Sequence, residues 1–273
     1  MRLQKVLLLL PALMLCLVAV PSASRGQATT GKTYQQMSPA ERSAFVAEQA
    51  KRVARDMSGS EYEFTPDFIT DIQQSVNQYS RRISDNGSVS LGKRDLRLVV
   101  ERGHAEAPLL IAAFKARNLS SLMGLYIPWI ESEYVNIKSP NSIGAIGMFQ
   151  FLPKTGARFG LSPADLLNVA KSADAAALYI SDGLKQFDGD PMKEALALLA
   201  YNRGGQQTAR DLKLFVNDQN KQCSICALTA ASSKLDPIFQ NENVYYVPRF
   251  FAAAIIGENP QAFGIQSQPL SSH

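Results

Sequence analysis

The apolar residues of this chain recur mostly at helical spacing. Between Ser38 and Gly59 they fall on one face of a predicted helix, which begins with the capping sequence Ser38-Pro-Ala-Glu41. A second helix is predicted to start at Thr65-Pro66 and to end before the turn Asp85-Asn-Gly87. The strict apolar and polar alternation that marks strands is nearly absent. The predicted fold class is therefore mainly α.

Helical spacing continues along the rest of the chain. From Ser120 an apolar run leads to Glu131, and Pro128 interrupts it, so we expect a kink or a helix restart there. After Gly264 the pattern ends, and residues 265–273 are predicted to be a disordered tail. Further helices are predicted at about residues 93–102, 106–117, 155–159, 163–169, 172–187, 191–202 and 241–257.

The first 24 residues have the features of an export signal. A charged start precedes an apolar stretch from Val6 to Val20 and the small residues Ser22-Ala-Ser24. This stretch is shorter than the roughly 20 residues that span a bilayer, so no permanent membrane span is expected. Cys16 lacks a small residue just before it, and we assign it to the apolar stretch, with lipid attachment as the alternative. The mature chain is expected outside the cytoplasm.

Charge and histidine content exclude several classes of function. The chain has 28 basic and 24 acidic residues, and removal of Arg2 and Lys5 with the signal leaves a net charge of +2. This small excess argues against nucleic acid as the main partner. The only histidines are His104 and the last residue, His273, so a zinc-hydrolase site or a serine-histidine-aspartate triad is hard to assemble. We expect no metal and no cofactor.

Two cysteines remain after the signal, Cys223 and Cys226. In an oxidising compartment, a local disulfide that fixes a loop is the leading interpretation. A thioredoxin-like redox pair would need a βαβ context, and a zinc site would need two further ligands nearby.

Glu131 is the strongest candidate for chemistry. It lies at the end of an apolar helix, next to Trp129, Ile130 and Tyr134, and just ahead of a glycine-containing loop. A carboxyl group in apolar surroundings loses hydration, which raises its pKa and keeps it protonated near neutral pH. Such a group can act as a general acid. The alternative is an ordinary acid at a helix end.

Four motifs occur in order along the chain, and together they are far more specific than any one of them. They are Glu131-Ser132, Gly144-Ala-Ile-Gly-Met-Phe-Gln150, Ala200-Tyr-Asn202 and Glu242-Asn-Val-Tyr-Tyr-Val-Pro248. This combination resembles the lytic transglycosylase domain of the goose-type lysozyme superfamily, and most closely the membrane-bound lytic murein transglycosylase D branch. The resemblance covers about residues 70–257.

The resemblance implies a lysozyme-like α-helical catalytic domain that cleaves the β-1,4 bond between N-acetylmuramic acid and N-acetylglucosamine in peptidoglycan. It makes Glu131 the single catalytic acid and base, and the product a 1,6-anhydro sugar. Glu133 is not an obvious partner, because two residues along a helix place it on another face. The substrate-binding residues implied by the motifs are Ser132, Met148, Phe149, Gln150, Tyr201, Asn202, Glu242 and Tyr246.

Several of these residues have a purely structural alternative. Tyr201 and Tyr246 can be core aromatics with a satisfied hydroxyl group. Asn202 can cap a helix end ahead of Gly204-Gly205, and Ser132 can bond to the backbone alone.

The predicted organisation is a signal peptide at residues 1–24, a helical N-terminal region at 25–117, the catalytic domain at 118–264 and the tail at 265–273. The expected partners, in the periplasm, are peptidoglycan glycan strands, with a cell-envelope protein as a further candidate. Lysin-motif repeats, which the D branch commonly carries, do not follow the domain, and residues 212–234 have no assigned role. The alternatives are a lysozyme-like muramidase and a non-catalytic peptidoglycan-binding assembly protein.

Overall fold

The computed structural model describes residues 31–83 and 95–273. The predicted signal peptide, Cys16 and the turn Asp85-Asn-Gly87 lie outside these residues. In the described part of the chain the secondary structure is helical, and the only β-type pairing is one isolated bridge between Ile146 and Phe151. The mainly α fold class is confirmed.

The described α-helices are connected by loops and short 3₁₀ turns. They are α1 (Pro39–Ser58), α2 (Pro66–Ser80), α3 (Leu96–Lys115), α4 (Ser121–Ser132), α5 (Pro153–Ala157), α6 (Val169–Gln186), α7 (Lys193–Arg203), α8 (Gly205–Phe215), α9 (Ser224–Ala230), α10 (Pro237–Asn241) and α11 (Tyr246–Glu258).

The predicted start and end of α1 are confirmed in detail. The Ser38 hydroxyl accepts a hydrogen bond from the Glu41 backbone N–H, and the Glu41 carboxylate accepts one from the Ser38 N–H at 2.6 Å. Gly59 ends the helix in the left-handed conformation, which glycine adopts without strain.

Helix α11 lies at the centre of the core. Every residue of α11 except Arg249 is buried, and α1, α2, α4 and α7 all pack against it. A helix that is apolar on all sides is stable only when neighbours cover it completely. The residues Lys32–His273 accordingly form one compact unit.

Helices α3 and α4 are continuous where the sequence predicts an interruption. Helix α3 is continuous over the expected break between residues 102 and 106 and includes Pro108, and α4 continues through Pro128 without restarting. Pro108 is exposed, so the carbonyl group that lacks its N–H partner is on the solvent side. Packing of the apolar faces overrides the local preference.

The chain end is ordered against the core, contrary to the predicted disordered tail. Leu270 is fully buried, with its Cδ1 close to Gly103 of α3. The backbone N–H and the hydroxyl of Ser271 both donate to the buried Glu258 carboxylate. Two apolar residues five positions apart, Ile265 and Leu270, leave no periodic signal in this polar segment, yet both are buried.

None of the helices that the structure describes combines the length and apolarity that crossing a bilayer requires.

Candidate active site

Helix α4 places Glu131 at the edge of the core. Ser120 caps the helix, since its hydroxyl accepts from the Leu122 N–H, and residues 122–129 are all buried. Glu131 follows in the last turn and is only partly accessible to solvent. The buried run fixes the helix axis, so the carboxyl group has a defined position at the surface of the core.

The backbone turns sharply after Glu131. Glu133 and Tyr134 both have positive φ angles, of 53° and 61°. For residues other than glycine this conformation carries a strain of about 1 kcal/mol or more, so surrounding contacts must hold it. Arg82 binds the Glu133 carboxylate through two hydrogen bonds of 2.5 and 2.9 Å, and Arg102 donates to the Glu133 carbonyl at 2.8 Å.

Glu131 has an unusual proton affinity. Burial raises the pKa of its carboxyl group to about 7, even though the Tyr246 hydroxyl and the Arg249 guanidinium both lower it and Glu242 adds a small upward effect. The Tyr246 hydroxyl donates to Glu131 Oε1 at 2.6 Å. The carboxyl group therefore exchanges a proton near neutral pH and is oriented by a neighbouring donor.

The loop at residues 144–151 is clamped next to Glu131 by its backbone. The Ser132 hydroxyl donates to the Met148 carbonyl at 2.7 Å, and the Tyr201 hydroxyl donates to the Phe149 carbonyl at 2.9 Å. Gly147 has a φ of 81°, and a Cβ there would lie 2.3 Å from the Leu166 carbonyl oxygen, so a side chain has no room.

Met148 and Phe149 are buried beneath the loop, at 1% and 0% exposure. Their side chains pack in the core of this structure, and an apolar wall in contact with a sugar stays a prediction. Of residues 144–151, only Gly144 and Gln150 are not fully buried. The Gln150 side chain is partly exposed, and its Nε2 donates to the Gly147 carbonyl at 2.7 Å.

A polar network lies on the α7 side of the site. Asn202 Nδ2 donates to the exposed Glu242 carboxylate at 3.3 Å, and Asn243 Nδ2 donates to Asn202 Oδ1 at 2.6 Å. Arg203 Nη1 in turn donates to Asn243 Oδ1 at 2.8 Å. The Arg203 side chain is 3% exposed and pairs with Asp211 and Asp236, so the surface residues rest on a buried ion-pair cluster.

The structure brings the predicted residues into two groups. Tyr246 contacts Glu131 directly, and Ser132 and Tyr201 hold the loop beside it. Asn202 and Glu242 contact each other, and the charge of Glu242 reaches Glu131 through space. Asn202 is thus in the network with Glu242 and its helix ends at Gly204.

A cavity beside Glu131 is lined by residues that sequence analysis missed. Its volume is about 360 Å³, and its lining includes Glu131, Ser132, Gln78, Tyr79, Arg82 and Arg249. Gln78 belongs to α2, and only the apolar face of that helix gave a signal in the sequence. The polar residues of α2 at helical spacing could have indicated a second functional face.

The segment that had no assigned role folds into helices. Cys223 and Cys226 form the predicted disulfide, at the start of α9, and both are buried in the core. The Thr65 backbone N–H contacts the Cys226 sulfur at 3.4 Å. Within residues 31–83 and 95–273, no cluster of three or more His, Cys, Asp or Glu side chains is arranged to hold a metal ion.

Comparison with known proteins gives a domain-level match. The family model described as the transglycosylase SLT domain matches residues 108–223. This segment contains Glu131, the loop and Tyr201, and it ends before Glu242 and Tyr246. The resemblance predicted from the motifs is confirmed at the level of this domain family.

One similar solved structure is an inactive mutant of the lytic transglycosylase Slt from Pseudomonas aeruginosa, with 20% sequence identity and a TM-score of 0.48. The match covers 87% of this chain, which spans only 37% of the length of that one. No curated protein matches the chain significantly.

Proposed function

We propose that this protein is a peptidoglycan lytic transglycosylase. It cleaves the β-1,4 bond between N-acetylmuramic acid and N-acetylglucosamine and leaves 1,6-anhydromuramic acid ends, with Glu131 as the single general acid and base. The observation that carries the proposal is a carboxyl group with a pKa of about 7, bonded by a tyrosine hydroxyl and lining a cavity. It lies in the segment that matches the transglycosylase SLT domain.

The proton of Glu131 is used twice. The protonated carboxyl group first donates to the glycosidic oxygen, which leaves with the bonding electron pair of the broken C–O bond. The resulting carboxylate then accepts the proton of the C6 hydroxyl as that oxygen bonds to the anomeric carbon. The carboxyl group is thereby restored, and no water is consumed.

The surroundings of Glu133 and Glu242 support a mechanism with a single catalytic carboxyl group. Typical glycosidases place a second carboxylate across the bond. The Glu133 carboxylate is already engaged by the guanidinium groups of Arg82 and Arg102. Glu242 is exposed and bonded by Asn202, which suits a residue that orients the substrate.

The other site residues hold or orient the sugar. Tyr246 orients the Glu131 carboxyl group, while Ser132 and Tyr201 fix the loop so that its backbone and Gln150 face the ligand. Asn202 and Glu242 bind sugar substituents at the opposite side. Met148 and Phe149 act from beneath the loop, through packing.

The decisive experiment compares the purified mature chain with Glu131→Gln on isolated sacculi. The substitution preserves shape and removes the acid, so we expect normal folding and a loss of activity of about a hundredfold or more. Mass spectrometry of the wild-type digest should show 1,6-anhydro muropeptides. If wild type and variant release material at the same rate, the enzyme proposal is wrong.

The digest also separates the alternatives. Products with only reducing ends would identify a muramidase, in which water rather than the C6 hydroxyl captures the anomeric carbon. Binding to sacculi without any release would identify a non-catalytic peptidoglycan-binding protein.

The proposed location is the periplasm, since the predicted export signal and a peptidoglycan substrate both indicate it. The motifs favour the D branch of the family. We retain residues 118–264 as the proposed catalytic domain, with residues 25–117 as its helical N-terminal region and a cell-envelope protein as a possible further partner.

A further inference from the structure

A cationic cavity lies between the 3₁₀ turn Tyr34–Gln36, the start of α1 and the end of α2. Its volume is about 340 Å³. It contains two arginines and no acid, and none of its residues lines the cavity beside Glu131. Its lining residues are Gln35, Arg42, Asn77, Ser80, Arg81 and Ile83. We call it the Arg42–Arg81 cavity.

Arg42 is held in place by neutral acceptors. Its Nε donates to the Tyr34 carbonyl at 2.9 Å, and its Nη2 donates to the Gln35 carbonyl at 2.6 Å. The neighbouring Glu41 carboxylate is bound by Lys32 instead. Among the described residues no carboxylate lies within 4 Å of the Arg42 guanidinium group, so its positive charge is fixed in position but not compensated.

Arg81 brings a second guanidinium group to the cavity. Its backbone N–H donates to the Asn77 carbonyl at the end of α2, whereas its side chain is exposed. In the described part of the chain this guanidinium group has no carboxylate within 4 Å either. Two positive charges around one cavity repel each other unless an anion lies between them.

Two side-chain amides add uncharged donors. Gln35 Nε2 is buried and has no hydrogen-bond partner among the described residues. A buried donor without a partner is unfavourable, and in native structures it often marks the place of a bound group. Asn77 Oδ1 accepts from the Tyr34 hydroxyl at 2.9 Å, which orients the amide, and its Nδ2 group has no partner within the same residues.

The arrangement of these donors favours one kind of anion. A carboxylate has two oxygen atoms in one plane, which a single guanidinium group can already occupy. A phosphate group has three or more acceptor oxygen atoms that point in different directions. Donors that come from three elements around a cavity therefore match a phosphate group better than a carboxylate.

We propose that the Arg42–Arg81 cavity binds a phosphate group. The two guanidinium groups compensate its charge, and the Gln35 and Asn77 amides donate to its remaining oxygen atoms. Two sources offer this chemistry, free phosphate and the headgroup of an anionic phospholipid. The site does not depend on whether the protein cleaves peptidoglycan.

The first test titrates the mature chain with sodium phosphate and follows binding by NMR. Sodium chloride keeps the ionic strength constant, so that general screening does not change during the titration. We expect saturable shifts of the Gln35 side-chain amide and of the Arg42 and Arg81 signals. The expected dissociation constant is about 1 mM, as for a small anion at a partly exposed site.

Substitutions locate the contact. Arg81→Gln should weaken phosphate binding about three- to tenfold, because one charged hydrogen bond is lost, and the fold should be unaffected since this side chain makes no contact with other described residues. Adding Arg42→Gln should abolish the saturable shift at Gln35. Because Arg42 also bonds two backbone carbonyls, unchanged signals in the rest of the spectrum are required to show that the double variant is folded.

Arg210→Gln is the matched control. It removes the same charge from another exposed arginine, which donates to Gln207 rather than to a carboxylate and lines a different cavity. Phosphate binding and the shift at Gln35 should stay as in the wild type.

Vesicles distinguish the two sources of the phosphate group. If the ligand is a phospholipid headgroup, phosphatidylglycerol vesicles should sediment the wild type and Arg210→Gln about fivefold more strongly than Arg81→Gln. Equal sedimentation of the three chains, together with the saturable shifts, would assign the site to free phosphate.

Two results would overturn the inference. One is a response to phosphate that does not saturate at the Gln35, Arg42 and Arg81 signals. The other is an equal loss of phosphate binding in Arg210→Gln and Arg81→Gln, since this would show a general effect of charge rather than a site.

Discussion

The proton equilibrium of Glu131 results from opposing contacts of known sign. Burial favours the neutral carboxyl group, whereas the Tyr246 hydroxyl and the Arg249 guanidinium favour the carboxylate. The balance gives a pKa of about 7, so both forms are populated at neutral pH. A group that must give a proton and then take one back benefits from this balance, since neither form is strongly preferred.

Substitution of Tyr246 by phenylalanine tests this balance. The lost hydroxyl donates to the carboxylate form, so its removal should raise the pKa of Glu131 further above 7. In the proposed mechanism the reaction starts from protonated Glu131, so kcat/KM is expected to fall as pH rises through this pKa. We expect the alkaline limb of the pH profile to move upward, on the order of one pH unit.

The control for this experiment is Tyr201→Phe. Its hydroxyl donates to the Phe149 carbonyl rather than to Glu131, so the midpoint of the alkaline limb should stay in place even if the rate falls. A downward shift in Tyr246→Phe, or equal shifts in both variants, would contradict the assignment of Tyr246 as the donor that orients Glu131.

At the scale of elements, the sequence predicted what local pattern determines. The capping box at Ser38, the glycine at 59 and the apolar faces of α1 and α2 are encoded within a few residues of each other, and each is found as expected. Continuity of α3 over Pro108 depends instead on packing against α4 and α6. Local preference carries no information about that packing.

In the candidate site too, some residues are predicted by local sequence and others are brought in only by packing. Glu131 and its neighbours are contiguous in sequence, and the motifs singled them out. The contributions of Gln78 and Arg249 arise because α2 and α11, which are far apart in sequence, pack side by side. The polar face of α2 has no chemical meaning until its neighbour is known.

Helices α7, α8 and α10 are joined by the buried guanidinium group of Arg203. It pairs with Asp211 of α8, which is 2% exposed, and with Asp236, the capping residue of α10, and it lies 4.9 Å from the centroid of the Phe239 ring. Arg203→Met would leave Asp211 buried without a cation. We expect a loss of about 3–5 kcal/mol in the free energy of unfolding, measured by chemical denaturation.

The matched control is the double variant Arg203→Met with Asp211→Leu. Removing both buried charges should recover most of the lost stability, because apolar residues of similar volume can replace a buried ion pair. A double variant as unstable as Arg203→Met alone would show that packing around Arg203, rather than its charge, holds these helices together.

At the scale of the whole molecule, the site is assembled from both sides of the central helix. Glu131 belongs to α4, Tyr246 and Arg249 belong to α11, and Gln78 belongs to α2. Only the first of these helices lies within residues 108–223, the segment that matches the family. Helices outside this segment therefore contribute residues to the candidate site and to the core.

The chain end completes the same core, and its contribution can be measured. Leu270 is fully buried beside Gly103. The next residue, Ser271, donates to the Glu258 carboxylate, which also accepts a hydrogen bond from the Tyr126 hydroxyl of α4 at 2.5 Å.

Leu270→Ala should lower the free energy of unfolding by about 2–5 kcal/mol, because it removes buried apolar surface and leaves a cavity. Leu214→Ala is the control, since that side chain is 72% exposed and its loss should change stability by less than about 0.5 kcal/mol. If denaturation curves show equally small losses for both variants, the end of the chain does not pack as described. A large loss for Leu270→Ala alone would establish that the last residues stabilise the helices that position Glu131.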